Sequence, residues 1–184
     1  MTFFLRTERL VLEDITHEDL DNLLDLARDR EVMRWVLMPF DDDSRVKTYV
    51  EDAVRTSEQV HGRRDYHLAV RVPGTTVFAG LAFLETDPAL KSTAEIGCIL
   101  HRPFWKQGYA REITRALLRL GFEDLSLHRI YGKCDEQNRG SIKALEGCGL
   151  RYEGTLREHV WLHDHWRSSQ YFGILDSEYY SQKR

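Results

Sequence analysis

The length, composition and charge of the chain exclude several classes of protein. Its 184 residues match a single domain, its 42% hydrophobic and 30% charged residues are those of an ordinary globular protein, and 4 prolines with 12 glycines exclude a collagen-like or low-complexity chain. Lys and Arg total 26 against 30 Asp and Glu, so the formal net charge of −4 argues against non-specific binding to DNA or RNA, which needs a basic surface.

Neither a membrane span nor a disulfide framework is predicted. No stretch approaches the roughly 20 apolar residues that cross a bilayer, and the first ten residues lack the uninterrupted apolar core of a signal peptide. The cysteines, Cys98, Cys134 and Cys148, are odd in number and form no CxxC pair. We therefore expect free thiols and a protein of the reducing cytoplasm.

The periodicity of apolar residues predicts groups of strands separated by helices. A strand over Leu5–Asp14 is followed by a helix that has its N-cap at Thr16 and extends to Arg28. The later elements, in chain order, are a loop over Met33–Asp43, a helix over Val46–Gln59, a hairpin of strands Tyr66–Val72 and Thr76–Glu85, a strand over Ala94–Leu100, a helix over Ala110–Leu125, a strand over Arg129–Cys134, a short helix over Ser141–Glu146, and two closing strands within Tyr152–Leu175. Without strict βαβ alternation, this order predicts one α+β domain over residues 1–184, a mixed sheet flanked by helices.

The segment Ala94–Ala110 is the most informative for chemistry. It reads as a strand, a short loop with a proline, and the opening of a helix in which Gly108 and Ala110 are small. Small residues at such a turn let backbone amides approach a ligand, and a helix N-terminus favours an anion, so the segment predicts a pyrophosphate site with Lys106 at its mouth. The spacing is neither GxxxxGK(S/T) nor GxGxxG. On spacing alone, a tight turn in which Gly108 relieves backbone strain is the alternative.

The run AEIGCILHRPFWKQGYAREI resembles the acetyl-CoA-binding motif of the GNAT family of N-acetyltransferases. Gly108 and Ala110 match the small residues of its Q/R-x-x-G-x-G/A pattern. Trp105 stands at the first position, as in the ribosomal-protein N-acetyltransferase (RimJ/RimL-like) branch, whereas Lys106 stands where that branch often has glycine. The runs TERLVLEDIT and HRIYGKCDEQNRGSIKALEGCGLRYEGTLRE resemble the family's first strand and its fifth strand with the helix that follows.

The resemblance implies a fold, a cosubstrate and a set of binding residues. The fold is a central, mostly antiparallel sheet with a splayed strand pair, and the cosubstrate is acetyl-CoA, used without a metal by direct attack of an amine in a ternary complex. The pantetheine arm would pair with the strand that ends at Ile99 and Leu100. The residues implied for the pyrophosphate are Gln107, Gly108, Tyr109, Ala110 and Arg111. Those implied for the pantetheine and the thiol are Asn138 and Ser141. The alternative for this pair is a helix cap, in which Asn138 or Ser141 caps the helix that ends at Glu146, and the two roles are compatible.

Glu95 resembles the glutamate that serves as general base in some family members. It lies on the strand beside the implied cleft and shares a face with Gly97 and Ile99. Ser141, near the sulfur, would assist the departing thiolate. A structural ion pair is the alternative for Glu95, and His101, Glu158 and His159 are the alternative bases.

The acceptor site is expected in the weakly matching region Trp35–Gln59. Trp35, Met38 and Phe40 would wall it and Asp41–Asp43 would attract a cationic amine, the alternative being a solvated acidic loop. The branch points to the N-terminal α-amine of a (ribosomal) protein. Small amines (a polyamine, an amino acid or an antibiotic) and a non-catalytic acyl-CoA-binding module stay open. No nucleic acid or membrane partner is expected, and a homodimer is compatible with the resemblance.

Overall fold

A computed structural model of the chain describes residues 3–37, 40, 42–59, 62–90, 92–162 and 164–183. The strands are β1 (Phe4–Arg6), β2 (Val11–Asp14), β3 (Tyr66–Arg71), β4 (Phe78–Thr86), β5 (Thr93–Leu100), β6 (Arg129–Asp135), β7 (Arg151–Leu162) and β8 (His165–Leu175). The helices are α1 (Leu20–Arg28), α2 (Arg30–Met33), α3 (Asp43–Ser57), α4 (Tyr109–Arg119), α5 (Arg139–Glu146) and α6 (Asp176–Ser181). No helix in this described part is both long and apolar enough to cross a membrane.

The described strands form one sheet in the order β1-β2-β3-β4-β5-β6-β8-β7. Neighbours are antiparallel, except that β5 and β6 run parallel. The parallel pairing joins only Thr93–Glu95 to Arg129–Tyr131, although β5 continues to Leu100 and β6 to Asp135. The two strands therefore diverge beyond Glu95, and the predicted fold, a mostly antiparallel sheet with a splayed pair flanked by helices, is confirmed.

Each face of the sheet buries its own apolar cluster. On the α4 face, Leu84 and Ile96 pack with Ile113 and Leu117 of α4. On the opposite α1 face, which α1 and α3 cover, strand residues pack with apolar side chains of these helices; this cluster includes Leu23, Val46, Leu81, Phe83 and Ile99. Alternation along β5 thus directs Glu95, Gly97 and Ile99 to the α1 face. Burial of each such apolar side chain stabilises the fold by about 1.5–3 kcal/mol before chain entropy is counted.

The predicted single strand Leu5–Asp14 is wrong, because the chain turns between β1 and β2. The Thr7 amide and hydroxyl both donate to the Leu10 carbonyl, at 3.0 and 3.1 Å, and the Leu10 amide donates to the Thr7 hydroxyl at 3.0 Å. A threonine side chain that bonds the local backbone can close a turn without glycine or proline.

Other boundaries also differ from prediction. The α-helical part of the segment Ala110–Leu125 ends at Arg119 and continues as a π-helical turn over Leu120–Asp124. Helix α2 lies at the edge of the predicted loop Met33–Asp43, and α6 follows the last predicted strand. The two closing strands are present as β7 and β8.

Candidate active site

The loop between β5 and α4 presents backbone amides to the gap between the splayed strands. The Trp105 indole Nε1 donates to the Leu100 carbonyl at 2.7 Å and fixes the loop on the end of β5. Gly108 has a φ of +83°, in the left-handed region that favours glycine, and begins α4. The Glu112 amide donates to the Gly108 carbonyl at 3.1 Å. The amides of Tyr109, Ala110 and Arg111 precede that bond, so they are available to an anion at the positive end of the helix.

Arg9, to which the sequence analysis gave no role, braces this loop. Its Nη1 donates to the Gln107 carbonyl at 2.9 Å, its Nη2 lies 2.6 Å from Glu112 Oε2, and its guanidinium lies 4.4 Å from the Tyr109 ring centroid. Glu112 also accepts from the Thr7 hydroxyl at 2.6 Å. Burial alone would raise the pKa of Glu112, but the hydrogen bonds from Thr7 and Arg9 hold it below its usual value. No local spacing signals a contact across 103 residues.

The predicted residues of α5 lie next to α4. Asn138 Oδ1 accepts from the Ser141 amide at 3.1 Å, so Asn138 is the N-cap of α5. The helix-cap alternative is therefore confirmed for Asn138 and not for Ser141, whose hydroxyl makes no hydrogen bond among the described residues. Arg111 Nη2 lies 3.5 Å from the Lys143 carbonyl and connects the two helices. The implied pyrophosphate and pantetheine residues thus come from neighbouring elements, and their binding roles stay predictions.

Ile99 and Leu100 lie at the wide end of the gap and are buried on opposite faces of the sheet. Gly97, two residues earlier, pairs with Phe83 of β4. A Cβ atom at Gly97 would lie 2.5 Å from the Phe83 ring, so glycine is required for this close approach. The Phe83 ring forms an apolar floor beside the diverging strand.

Glu95 lies on the α1 face, at the closed end of the gap. Its Oε2 lies 2.9 Å from Lys133 Nζ, and its side chain is 14% exposed. Tyr131 is the partner of Glu95 in the parallel β5–β6 register, and burial together with the Glu95 charge raises the pKa of Tyr131 to about 12. The structural ion pair predicted as an alternative for Glu95 is therefore present. Tyr131 and Lys133 alternate along β6, so the period of two could have indicated that they share a face.

Glu85 on β4 faces Glu95 directly, which the sequence analysis missed. The two glutamates are partners in the antiparallel β4–β5 register, and the Glu85 side chain is 42% exposed. His67 Nδ1 lies 3.6 Å from Glu85 Oε1 and 3.1 Å from the Tyr49 hydroxyl. Only the strand pairing, and no local motif, brings this group together.

The alternative bases lie just after β5 and on β7. His101 packs on Phe78 with ring centroids 6.0 Å apart, and burial lowers its pKa. Exposed Glu158, with a φ of +48°, lies in a bulge of β7. The His159 ring lies 6.4 Å from that of Tyr171, which stacks on Tyr131 at 6.1 Å.

A cavity of about 620 Å³ lies where α1, α2 and the start of α3 meet the ends of β6 and β8. Trp35 and Phe40 line it, whereas Met38 and Asp41 lie outside the described residues. Asp42 caps α3 by accepting from the Ser44 amide at 2.7 Å, and Asp43 Oδ2 lies 2.6 Å from Arg28 Nη2. These two carboxylates, expected to attract an amine, already have partners within the protein.

A buried ion pair fixes the wall of the cavity. Arg167 Nε donates to Asp135 Oδ2 at 2.8 Å, and the two side chains are 10% and 3% exposed. Arg167 Nη2 also donates to the Arg34 carbonyl at 2.8 Å, which holds the end of α2 against the sheet. Asp135, in the cavity wall, lies two residues beyond Lys133 on the same side of β6. The cavity therefore lies about 7 Å along β6 from Lys133, the ion-pair partner of Glu95.

The cysteines are placed as packing residues. Burial raises the pKa of Cys98 and of Cys134 to about 12, so both are neutral thiols at physiological pH. A neutral, buried thiol is a poor nucleophile, which argues against an acetyl-cysteine intermediate.

Comparisons with known proteins agree with this architecture. The family model described as an acetyltransferase (GNAT) domain matches residues 9–151. The N-acetyltransferase p20 of Bacillus licheniformis is 30% identical over 95% of this chain and 97% of its own length. FsC-acetyl coenzyme A-N(2)-transacetylase of Aspergillus fumigatus is 31% identical over 83% of this chain and 66% of its own.

A similar fold occurs in spermidine N-acetyltransferase from Vibrio cholerae, solved in complex with CoA and spermine. The two superpose with a TM-score of 0.78 at 22% identity, covering 94% of this chain and 98% of that one. From the family match, the relative at 30% identity and the splayed sheet, we conclude that the chain belongs to the GNAT family of acetyltransferases.

Proposed function

We propose that the chain transfers the acetyl group of acetyl-CoA to the α-amine of an amino acid or of a peptide N-terminus, the latter including that of a ribosomal protein. The pyrophosphate binds the amides of Tyr109, Ala110 and Arg111, and the pantetheine arm follows the unpaired edge of β5. When bound, acetyl-CoA supplies an activated thioester, and the acceptor reaches it from the α1 face, through the cavity beside β6.

The charged residues of the cavity wall are the basis for this choice of acceptor. Among the described residues, four arginines line it, Arg28, Arg30, Arg34 and Arg167, with four acidic residues, Asp42, Asp43, Asp135 and Glu136. Three of these acids already serve the fold: Asp42 caps α3, Asp43 pairs with Arg28, and Asp135 pairs with Arg167. Arg34 has a partner as well, since its Nη1 lies 3.5 Å from Glu31 Oε2. Exposed Arg30 would repel a polyamine but complement the carboxylate or carbonyl groups that accompany an α-amine.

A polyamine is the second candidate acceptor. The structural neighbour from Vibrio cholerae is a spermidine N-acetyltransferase whose complex contains spermine. The face-to-face carboxylates Glu85 and Glu95 would suit a cationic amine of either class, so they do not separate the two candidates. The arginines at the cavity wall favour the α-amine.

A turnover panel tests this proposal. Thiol release from acetyl-CoA is measured with free amino acids, short peptides with unblocked N-termini, spermidine and an aminoglycoside. We expect the α-amines to have a higher kcat/KM than spermidine, and the double variant Arg30→Glu/Arg34→Glu to reverse that order. Arg119→Glu, an exposed charge reversal on α4, is the matched control and should leave the order unchanged. A wild-type preference for spermidine would contradict the proposal.

Association into a homodimer and a cytoplasmic location stay predictions. Sedimentation of the purified chain over a range of concentrations would test the first, and fractionation of cells that express it would test the second.

A further inference from the structure

Two carboxylates face each other on the α1 face at the closed end of the splayed pair, and only one resembles the family's base. We propose that Glu85 accepts the proton of the acceptor ammonium, and that Glu95 positions this amine. The proposal rests on the amine acetylation proposed above and adds a residue on β4 to the reaction.

Glu95 is already engaged by a cation of the protein. Its Oε2 lies 2.9 Å from Lys133 Nζ, and Tyr131 of β6 is its neighbour in the parallel register. At 14% exposure, the side chain has little free surface. One of its oxygens is thus occupied within the protein, which leaves Glu95 less accessible to a substrate ammonium than a carboxylate without such a partner.

Glu85 is the more available partner of the pair. Its side chain is 42% exposed, and the described part of the chain places no lysine or arginine in ion-pair contact with it. Its neighbour from β3 is His67, 3.6 Å away, which is held by the Tyr49 hydroxyl from α3. A carboxylate in this position is open to an incoming ammonium group.

The charged groups around Glu85 come from each element packed against it. Glu95 lies on β5, Lys133 on β6, and Asp65 just before β3. The adjacent titratable groups, His67 on β3 and Tyr49 on α3, add no positive charge in their neutral forms, and burial lowers the pKa of His67 and raises that of Tyr49. With three carboxylates and one lysine, the group carries excess negative charge that would attract a cation.

This environment also brings Glu85 nearer to the range of an effective base. Partial burial, then the Glu95 and Asp65 charges, raise the pKa of Glu85, and Lys133 opposes them only in part. A general base works best when its pKa approaches the operating pH, because it must be ionised and yet retain affinity for the proton.

The chemistry balances with one proton on Glu85. The ammonium R–NH3⁺ gives a proton to the Glu85 carboxylate and becomes R–NH2. The amine lone pair then forms the C–N bond to the thioester carbonyl carbon as the C–S bond breaks and its electron pair leaves on sulfur. The nitrogen gives up its second proton, the thiolate takes up a proton with the help of Ser141, and Glu85 releases its proton to solvent, so one ammonium and one thioester yield one amide, one thiol and one proton.

The test compares pH–rate profiles of wild type and Glu85→Gln on an unblocked peptide. At pH 7 we expect kcat/KM to fall by about tenfold, because only about a tenth of an α-amine with a pKa near 8 is unprotonated at that pH. The variant should recover as pH passes about 8, where an α-amine loses its proton in solution. Acetyl-CoA affinity, measured by calorimetry, should stay unchanged, since Glu85 does not contact the pyrophosphate loop.

Two further variants test the role of Glu95 and provide a control. Glu95→Gln should raise KM for the peptide and shift the acidic limb of the profile to lower pH, because it removes a charge that raises the pKa of Glu85. Glu51→Gln, on the exposed side of α3, is the matched control and should behave as wild type.

The failures of the two proposals are distinguishable. An unchanged Glu85→Gln profile in an enzyme that acetylates the peptide overturns the assignment of Glu85 alone. Absence of wild-type turnover on every amine of the panel overturns the proposed function. Because titration of ¹³C-labelled glutamate needs no acceptor, a Glu85 carboxyl with an ordinary pKa would also overturn the assignment.

Discussion

Arg9 Nη2 lies 2.6 Å from Glu112 Oε2, so the turn between β1 and β2 is joined to the first turn of α4. The same guanidinium donates to the Gln107 carbonyl and covers the Tyr109 ring. The backbone that presents the free amides is therefore held by a residue about a hundred positions earlier in the chain. Such preorganisation lowers the ordering cost of binding an anion.

Arg9→Ala should weaken acetyl-CoA binding more than it weakens the fold. The Arg9 side chain is 42% exposed, so its ion pair contributes at most about 1 kcal/mol to stability, whereas the loop loses its brace. Calorimetry with acetyl-CoA and urea denaturation measure the two effects, and Arg119→Ala, at an exposed arginine of α4, is the control. Equal acetyl-CoA affinity in Arg9→Ala and wild type would refute this role.

Gly108→Ala should destabilise the fold by about 1–2 kcal/mol, because an L-residue at φ +83° is strained. The added methyl has room, since Arg9 Nη2 is 3.5 Å from the Cβ position. Gly108→Glu should also abolish the thermal shift caused by acetyl-CoA, because it adds a negative charge at the anion site. Gly74, at φ +74° with nothing within 4 Å, offers matched controls that carry the same backbone strain. Gly74→Glu should keep the thermal shift caused by acetyl-CoA. If Gly108→Glu keeps it as well, the pyrophosphate site is wrongly assigned.

Asn138 and Ser141 should separate into a structural and a chemical role. Asn138→Ala removes the N-cap of α5 and should cost about 0.5–2 kcal/mol. Ser141→Ala retains the amide that donates to the cap, so it should cost little stability, and it should lower turnover mainly at high pH, where proton delivery to the thiolate is scarce. Melting temperatures and pH–rate profiles of both variants separate the two roles. A normal pH–rate profile for Ser141→Ala would show that the Ser141 hydroxyl takes no part in the reaction.

Glu85→Gln should stabilise the protein at neutral pH. The folded-state pKa of Glu85 is raised above that of the unfolded chain, so its favourable contribution exists below the unfolded value of about 4.3 and is lost as pH rises through the folded pKa. Glutamine removes a charge that partial burial and then the Glu95 charge disfavour, and the gain should not exceed about 1 kcal/mol because Glu85 is 42% exposed. Urea denaturation should show a higher free energy of unfolding for the variant than for wild type at pH 7 and no such gain at pH 4. A lower free energy of unfolding at pH 7 would contradict the raised pKa of Glu85.

Prediction from sequence succeeded where local patterns determine the structure. The predicted strand Ala94–Leu100 and the predicted helix at Ala110 each begin one residue after the observed β5 and α4. The prediction is this close because alternation, a turn and helical periodicity follow one another along this run. The turn at Thr7–Leu10 was missed because a threonine hydroxyl closes it.

The candidate site was only partly predictable for a related reason. The loop residues belong to one continuous motif, whereas Arg9, Glu85, Tyr131 and Lys133 reach the site through strand pairing and helix packing. Such contacts depend on register, which local sequence does not specify. The acidic run Asp41–Asp43 misled for the opposite reason, since capping and ion pairing use Asp42 and Asp43 within the fold.

The three-residue parallel ladder between β5 and β6 has a mechanical consequence. It is the only strand pairing among the described residues that joins β1–β5 to β6–β8, so the sheet has a seam at the point where a ligand would enter. A ligand whose amides pair with both open edges would act as a missing strand and close that seam. Amide hydrogen exchange along Ile96–Leu100 and Gly132–Asp135 should therefore slow together when the cleft is filled.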